Sequence, residues 1–343
     1  MKFTSLIAAG VGLALSAGAA MADGELHFYN WGNYTDPKVL EKFTAETGIK
    51  VTLDGYDSND MMLAKVKAGG SGYDLAVPSG FMVKIMIEEG LIQKAGVNQM
   101  ENFKNVEDQW VDVYFDPGRE YSVPWQWGST GISLNTKYYD GPKSDSWALV
   151  FDPPEELKNR INMVSEMSDV IAAGLFYLGL PQCNDNKDDL KKLNDMLQKA
   201  KKDWRTIDYG IVEKMTSEDV YASHNWNGAS MRARRVIPEI KYIYPKEGLN
   251  AWMDNVVLLS DAKNVKEAKI FMNFLMDPEN AGMISSFAGY ANAIKGSAKY
   301  MNPDMAEAPE IVGYEGAGTP EFIPPCTQEV QAMYTKIWNN LLK

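Results

Sequence analysis

Rings paired with acids, amides or hydroxyls recur along this chain. Trp31, Asn33 and Tyr34 share the stretch NWGNY, and Ser79 and Phe81 share PSGF. Trp226 lies in NWNG, Trp252 and Asp254 in AWMD, and Tyr290 in AGYANAI. Glu166 and Asp169 form an acidic pair in SEMSD. Indole and phenol faces attract cations, contributing roughly 0.5–2 kcal/mol each when desolvated. Carboxylates add charge-assisted hydrogen bonds, and flat rings stack on methylene chains. Together these residue types suit an organic cation with a hydrocarbon body. Each Trp taken alone suits core filling equally well. Glu166 and Asp169 would also serve as an acidic helix start that complements the dipole.

Other chemistry is poorly provided for. The chain has no G-x-S-x-G, no phosphate loop and no dinucleotide-binding glycine pattern after a strand. Its two histidines, His27 and His224, lack an H-x-x-x-H partner, so no resident metal or other cofactor is expected. A paired-carboxylate glycosidase is the remaining enzymatic alternative. Arg119 and Arg232 are cations that could pair a ligand carboxylate.

Strand ends must position these groups. ELHFYNW, IKVTLDGY and YDLAVPS read as strands. The helices between them are punctuated by Thr35 or Asp36 with Pro37, by Gly48, and by Ser58. FMVKIMIEE follows as a helix closed by Gly90. This β-α-β-α-β-α order implies a parallel sheet with crossover helices, which binds ligands beyond the carboxyl ends of its strands. NWGNY and PSGF are such strand-end loops. EYSVPWQWGSTGISLNTKYY is a long aromatic strand able to carry the chain between domains. Beyond it come helices in SDVIAAGLFYLGL and KDDLKKLNDMLQKAKKDW, the latter with a solvated lysine face. SHNWNGASMRARR reads as a loop, EIKYIYP and AWMDNVVLL as strands, and NVKEAKIFMNFLMD as a helix capped by Asn264. EVQAMYTKIWNNLLK closes the chain as an amphipathic helix.

Residues 1–22 have an early Lys, an apolar middle and an A-x-A end at Ala20–Ala22, the pattern of a cleavable secretory leader. The 343-residue chain is too long for one ordinary core, so two domains are expected. A net charge of −12 disfavours nucleic acid and anionic lipid. Cys183 and Cys326 are the two cysteines; export permits a disulfide, while their spacing leaves the pairing open.

In order along the chain, FYNWGNY, ETGIKV, YDLAVPS, GLIQK, YSVPWQWG, NWNG, YPKEG and WMD resemble the periplasmic spermidine/putrescine-binding proteins of ABC transporters. The resemblance spans nearly all of the chain after the leader. It implies the type II periplasmic binding fold, with two α/β lobes joined by a strand hinge and closing on a ligand. It also implies a monomeric, non-enzymatic partner of membrane permease subunits. The lobes are then expected at 23–129 with 254–297 and at 130–253 with 298–343.

By motif, Trp31 and Tyr34 correspond to rings that pack on the ligand's methylenes, and Ser79 and Phe81 to a Ser and a Tyr after the third strand. Glu166 and Asp169 correspond to an acidic pair for amine nitrogens. Trp226 corresponds to the Trp of the W-N-G loop, and Trp252 with Asp254 to an aromatic wall and its ammonium-gripping carboxylate. Tyr290 corresponds to a ring at the second domain crossing. The chain departs from the pattern at Asn33, where an acid is usual, and at Phe81, which lacks a hydroxyl. Ala229 stands where diamine-preferring members can carry an acid. Pro324 or Cys326 falls near a position of Gln in spermidine-binding members. Fewer carboxylates imply a ligand with fewer positive charges, such as putrescine, or an ω-amino zwitterion such as 4-aminobutyrate.

Overall fold

The computed structural model describes residues 24–313 and 318–343; the leader expected at 1–22 lies outside the described residues. The N-terminal part alternates strand and helix as the punctuation requires. It runs β1 (Glu25–Trp31), α1 (Pro37–Thr47), β2 (Lys50–Tyr56), α2 (Asn59–Lys67), β3 (Leu75–Ala76) and α3 (Gly80–Glu88). Asp36, rather than Thr35, caps α1 by accepting from the Lys38 N–H, and Gly48 ends it at φ 76°. Ser58 caps α2 through the Met61 N–H. β1 pairs in parallel with both β2 and β3.

A small hairpin, β4 (Asp112–Val113) with β5 (Asp116–Pro117), precedes the long strand β6 (Ser122–Asn135). The chain continues through α4 (Ala148–Phe151), β7 (Ile161–Met163), α5 (Met167–Tyr177), α6 (Lys187–Ala200), β8 (Thr206–Ile207) and α7 (Ile211–Thr216). Next come β9 (Ala222–Trp226), α8 (Asn227–Val236), β10 (Ile240–Ile243) and β11 (Asn250–Leu258). Then follow α9 (Val265–Leu275), α10 (Pro278–Ala288), α11 (Pro309–Val312), β12 (Glu321–Phe322) and α12 (Gln328–Leu342).

Two strands tie the lobes together. The main sheet has the order β2-β1-β3-β11-β6-β9-β7-β8, with β10 on β6 and β12 on β11. β6 starts among the first apolar cluster with Val123 and Trp125 and ends in the second with Ile132 and Leu134. β11 makes the reverse passage, and the two pair antiparallel from Asn250↔Thr130 to Val257↔Ser122. Each cluster is a closed core: Phe28, Phe43 and Phe271 centre the first, Trp147, Leu193 and Met215 the second.

The structure differs from the sequence reading at several points. Residues 223–235 are a strand and a helix rather than a loop. Asn227-Gly228 imitates a turn, but buried Met231 and Ala233 give the following residues a core-facing side. Asn264 occupies the cap position of α9 without capping it; its side chain donates to Asp74 Oδ2 at 2.9 Å. Helices α7 and α10 were not anticipated. Cys183 and Cys326, 143 residues apart, form a disulfide.

Candidate ligand-binding cleft

All eleven site residues expected from the sequence line one cavity between the lobes, with a volume of about 120 Å³. The carboxyl ends of β1, β3 and β9 and the centre of β11 converge there, as an open α/β sheet requires.

Trp31 ends β1, and its indole N–H donates to the Val77 carbonyl at 2.8 Å, fixing the ring at the end of β3. The next residues turn sharply. Asn30 holds the turn by donating to Thr35 Oγ1 and accepting from the Trp31 N–H. Asn33 sits at φ 53°, a left-handed conformation that Asn tolerates better than most residues. Its side chain is exposed at the cleft mouth, while its carbonyl accepts from Arg232 Nη1 at 3.1 Å. Tyr209 of the other lobe stacks on Trp31 (centroids 6.4 Å apart, 12° between planes) and donates to the Gly32 carbonyl at 3.0 Å. Trp226 completes this wall, 5.4 Å from Tyr209 and 6.4 Å from Trp31. The aromatic strand tip therefore meets the rings of the opposite lobe.

Behind it stands a second group of rings. Tyr290 packs edge-on against Trp252 at 5.2 Å and Tyr34 at 5.5 Å. Gly228 makes this possible, since a Cβ there would lie 2.5 Å from the Tyr290 ring. Gly80, at the start of α3, likewise leaves room for Phe115 beside half-buried Phe81.

The three buried acids differ in their partners. Glu166 occupies the N-cap position of α5, accepts from Ser168 Oγ at 2.7 Å, and reaches across to the Asn59 N–H of α2 at 2.9 Å. Burial first, then the neighbouring Asp60 and Asp169, pushes its carboxyl up to about 8. Asp169 accepts from the Trp226 indole at 2.6 Å and from Asn250 Nδ2 at 2.8 Å; burial raises its pKa while these bonds hold it down. Asp254 accepts from Ser79 Oγ at 2.7 Å and has the Tyr34 hydroxyl beside it. Burial pushes it up to about 7, although both hydroxyls favour its anion. Among the described residues no Lys or Arg pairs with Asp254. It accepts one hydrogen bond, the fewest of the three, against two for Asp169 and three for Glu166.

Arg232 also lines the cavity, whereas Arg119 does not. Arg119 is fully buried, donating to the Trp110 carbonyl, Ser122 Oγ and Asn255 Oδ1, and burial lowers its pKa to about 9. Arg232 lies beside the Tyr290 hydroxyl and lowers its pKa, against burial and Asp254, which raise it. His224 is buried within β9, and that burial pushes its pKa down to about 3; no cluster of metal-binding side chains occurs among the described residues.

Sequence reasoning missed Tyr209 and Asn59. Tyr209 follows the short strand β8 in DYG, a strand-end ring like the others, and that position was its available signal. Asn59, just after its Ser58 cap, shows no sequence feature that marks it. Pro324, Cys326 and Gln331 bring the C-terminal segment into the lining as well.

The profile of bacterial extracellular solute-binding proteins matches residues 38–312. The chain belongs to that family. The Escherichia coli spermidine/putrescine-binding periplasmic protein is 35% identical over 308 residues, covering 88% of this chain and 87% of its own. A Pseudomonas aeruginosa putrescine-binding periplasmic protein is 31% identical over 345 residues, covering 94% and 93%. A solved Listeria monocytogenes chain, assigned by name to a spermidine/putrescine ABC transporter, superposes with TM-score 0.86 at 29% identity, covering 93% of this chain and 99% of that one. The two-lobed periplasmic binding fold is thus shared, and the family consists of solute-binding proteins of transporters rather than enzymes. Among the described residues no helix is long and apolar enough to cross a membrane.

Proposed function

We propose that this protein is the substrate-binding subunit of an ABC importer and captures a short aliphatic amine, a polyamine or a close ω-amino relative, for delivery to membrane permease subunits. The observation that carries this reading is Asp254. It is a buried carboxylate in a ring-lined cavity, held by the Ser79 hydroxyl, and an ammonium ion would supply the missing charge. A buried charge is expensive until it is paired. Trp252, Tyr290, Tyr34 and Trp31 offer ring faces to the hydrocarbon body. The relatives' printed names support the same ligand class.

The receptor acts as a periplasmic monomer released from a leader at residues 1–22 and uses no cofactor. Its lobes are 23–129 with 254–297 and 130–253 with 298–343; the division of the apolar residues into two clusters supports these boundaries. Closure brings Tyr209 and Arg232 onto the Gly32 and Asn33 carbonyls and Glu166 onto α2. Its acidic surface suits neither nucleic acid nor an anionic membrane.

Thermal denaturation with a panel of amines tests the reading. A ligand at a hundred times its dissociation constant adds about 2.7 kcal/mol of stability. At least one aliphatic amine should raise the melting temperature by several degrees. A panel without effect, alongside a shift from a sugar or a dicarboxylate, would overturn it.

A further inference from the structure

Arg232 is out of character with the rest of the cleft. The other charged side chains at its centre are carboxylates, yet this guanidinium points in from α8. Its helix neighbours are both paired, Arg234 with Glu310 and Arg235 with Asp304. Arg232 has no carboxylate partner among the described residues. Nη1 is held by the Asn33 carbonyl, and Nε is buried without any acceptor. The indole N–H of Trp252, another lining residue, is a second buried donor with no acceptor.

Orphan donors in a cavity wall demand an acceptor from whatever fills it. A diammonium chain carries donors only, whereas a carboxylate carries acceptors only. Putrescine would also bring a second positive charge toward Arg232. The acids tell the same story from the other side. Glu166 is committed to Asn59 and Ser168, and Asp169 to Trp226 and Asn250. Asp254 is left to receive one ammonium. Tyr290 is near enough to feel both Arg232 and Asp254, and all three line the cleft, with Tyr34 packed against Tyr290 at 5.5 Å. These rings offer faces for a short methylene chain.

We propose that Arg232 forms a carboxylate-binding subsite, so that the preferred ligand is a short ω-amino carboxylic acid held by its ammonium at Asp254 and its carboxylate at Arg232. This rests on the amine-binding reading above and narrows it. Nη1 stays on the Asn33 carbonyl, which orients the guanidinium, and Nε with Nη2 forms the fork that a carboxylate matches.

Calorimetric titration of the full protein with 4-aminobutyrate, putrescine and n-butylamine tests it, for native protein and for Arg232→Gln. Native protein should bind 4-aminobutyrate at least tenfold more tightly than putrescine or n-butylamine. Arg232→Gln should weaken 4-aminobutyrate at least tenfold more than n-butylamine, which loses only the closing bond to the Asn33 carbonyl, and should shift preference toward putrescine. Arg232→Lys, keeping charge but losing the fork, should retain part of the preference. If native protein binds putrescine more tightly than 4-aminobutyrate, the carboxylate subsite is wrong while amine binding survives. If Arg232→Gln weakens all three ligands alike, Arg232 acts through its closing bond to Asn33 alone and the proposal fails. If none of the three binds, the amine reading fails with it.

Discussion

Replacing Asp254 by Asn should strengthen the ligand-free protein and cripple the liganded one, and the two effects should depend on pH differently. In the folded protein burial lifts this carboxyl from an ordinary 3.8 to about 7. The folded state therefore holds the proton more tightly than the unfolded chain. Below pH 4 both states are protonated and the group costs nothing. As pH rises toward 7 the unfolded chain ionises first and stability falls. Above pH 7 the full cost is present, on the order of 4 kcal/mol from about three pH units at 1.4 kcal/mol each. Asn keeps an acceptor for Ser79 and removes that cost. The melting temperature of Asp254→Asn should match native protein near pH 4 and exceed it by several degrees at pH 8.

Binding should move the opposite way. Losing a charge-assisted bond costs about 1.5–3 kcal/mol, so the amine affinity of Asp254→Asn should fall ten- to a hundredfold at pH 8. Native affinity should itself weaken by up to tenfold per pH unit below 7, because the ammonium must displace a proton. That slope should flatten in the variant. Tyr34, Ser79, Tyr290 and Asp169 surround the carboxyl, and of these Asp169, whose pKa burial also raises, could add to the slope. Scanning fluorimetry and calorimetry between pH 4 and 8 supply both readouts. A variant that binds amines as native protein does, or that is less stable at pH 8, would refute the reasoning.

Three further outcomes are expected. Cys326→Ser opens a crosslink between residues 143 apart, which in the chain-entropy picture stabilises by about 5 kcal/mol; calorimetry should show a large fall in melting temperature, and native protein with reductant should show the same fall. Gly228→Ala would drive a Cβ to 2.5 Å from the Tyr290 ring, so amine affinity should drop at least tenfold while far-ultraviolet circular dichroism stays native. Glu166→Gln keeps an acceptor for Asn59 but removes a carboxyl that burial drives up to about 8, so by the same sign argument it should stabilise ligand-free protein above that pH and little below pH 5.

Much of the scaffold could be read from the residues because its breaks are chemically explicit. Asp36-Pro37, Gly48 and Ser58 mark helix ends that local chemistry alone dictates. The cleft lining was legible for a topological reason: residues at strand ends of an open sheet share an edge, so rings and acids read there gather in space. What failed depended on tertiary context. Asn227-Gly228 looks like a turn until Tyr290 is seen to need the space above Gly228. Arg119 and Arg232 are the same residue type, and burial among Trp110, Ser122 and Asn255 decides that the first is structural. The roles of the acids were likewise hidden. Glu166 was expected to meet the ligand; it lines the cleft and also joins two helix starts, a partnership across 107 positions of chain that no local pattern encodes.

A crystal structure of the protein grown with its tightest-binding amine would show whether Asp254 is the ammonium's partner. The ammonium nitrogen should lie about 2.7–2.9 Å from the Asp254 carboxylate, with its methylenes between Trp252, Tyr290 and Tyr34. An amine seated outside the cleft, or inside it with Asp254 still bound to Ser79 and not to the ammonium, would contradict it.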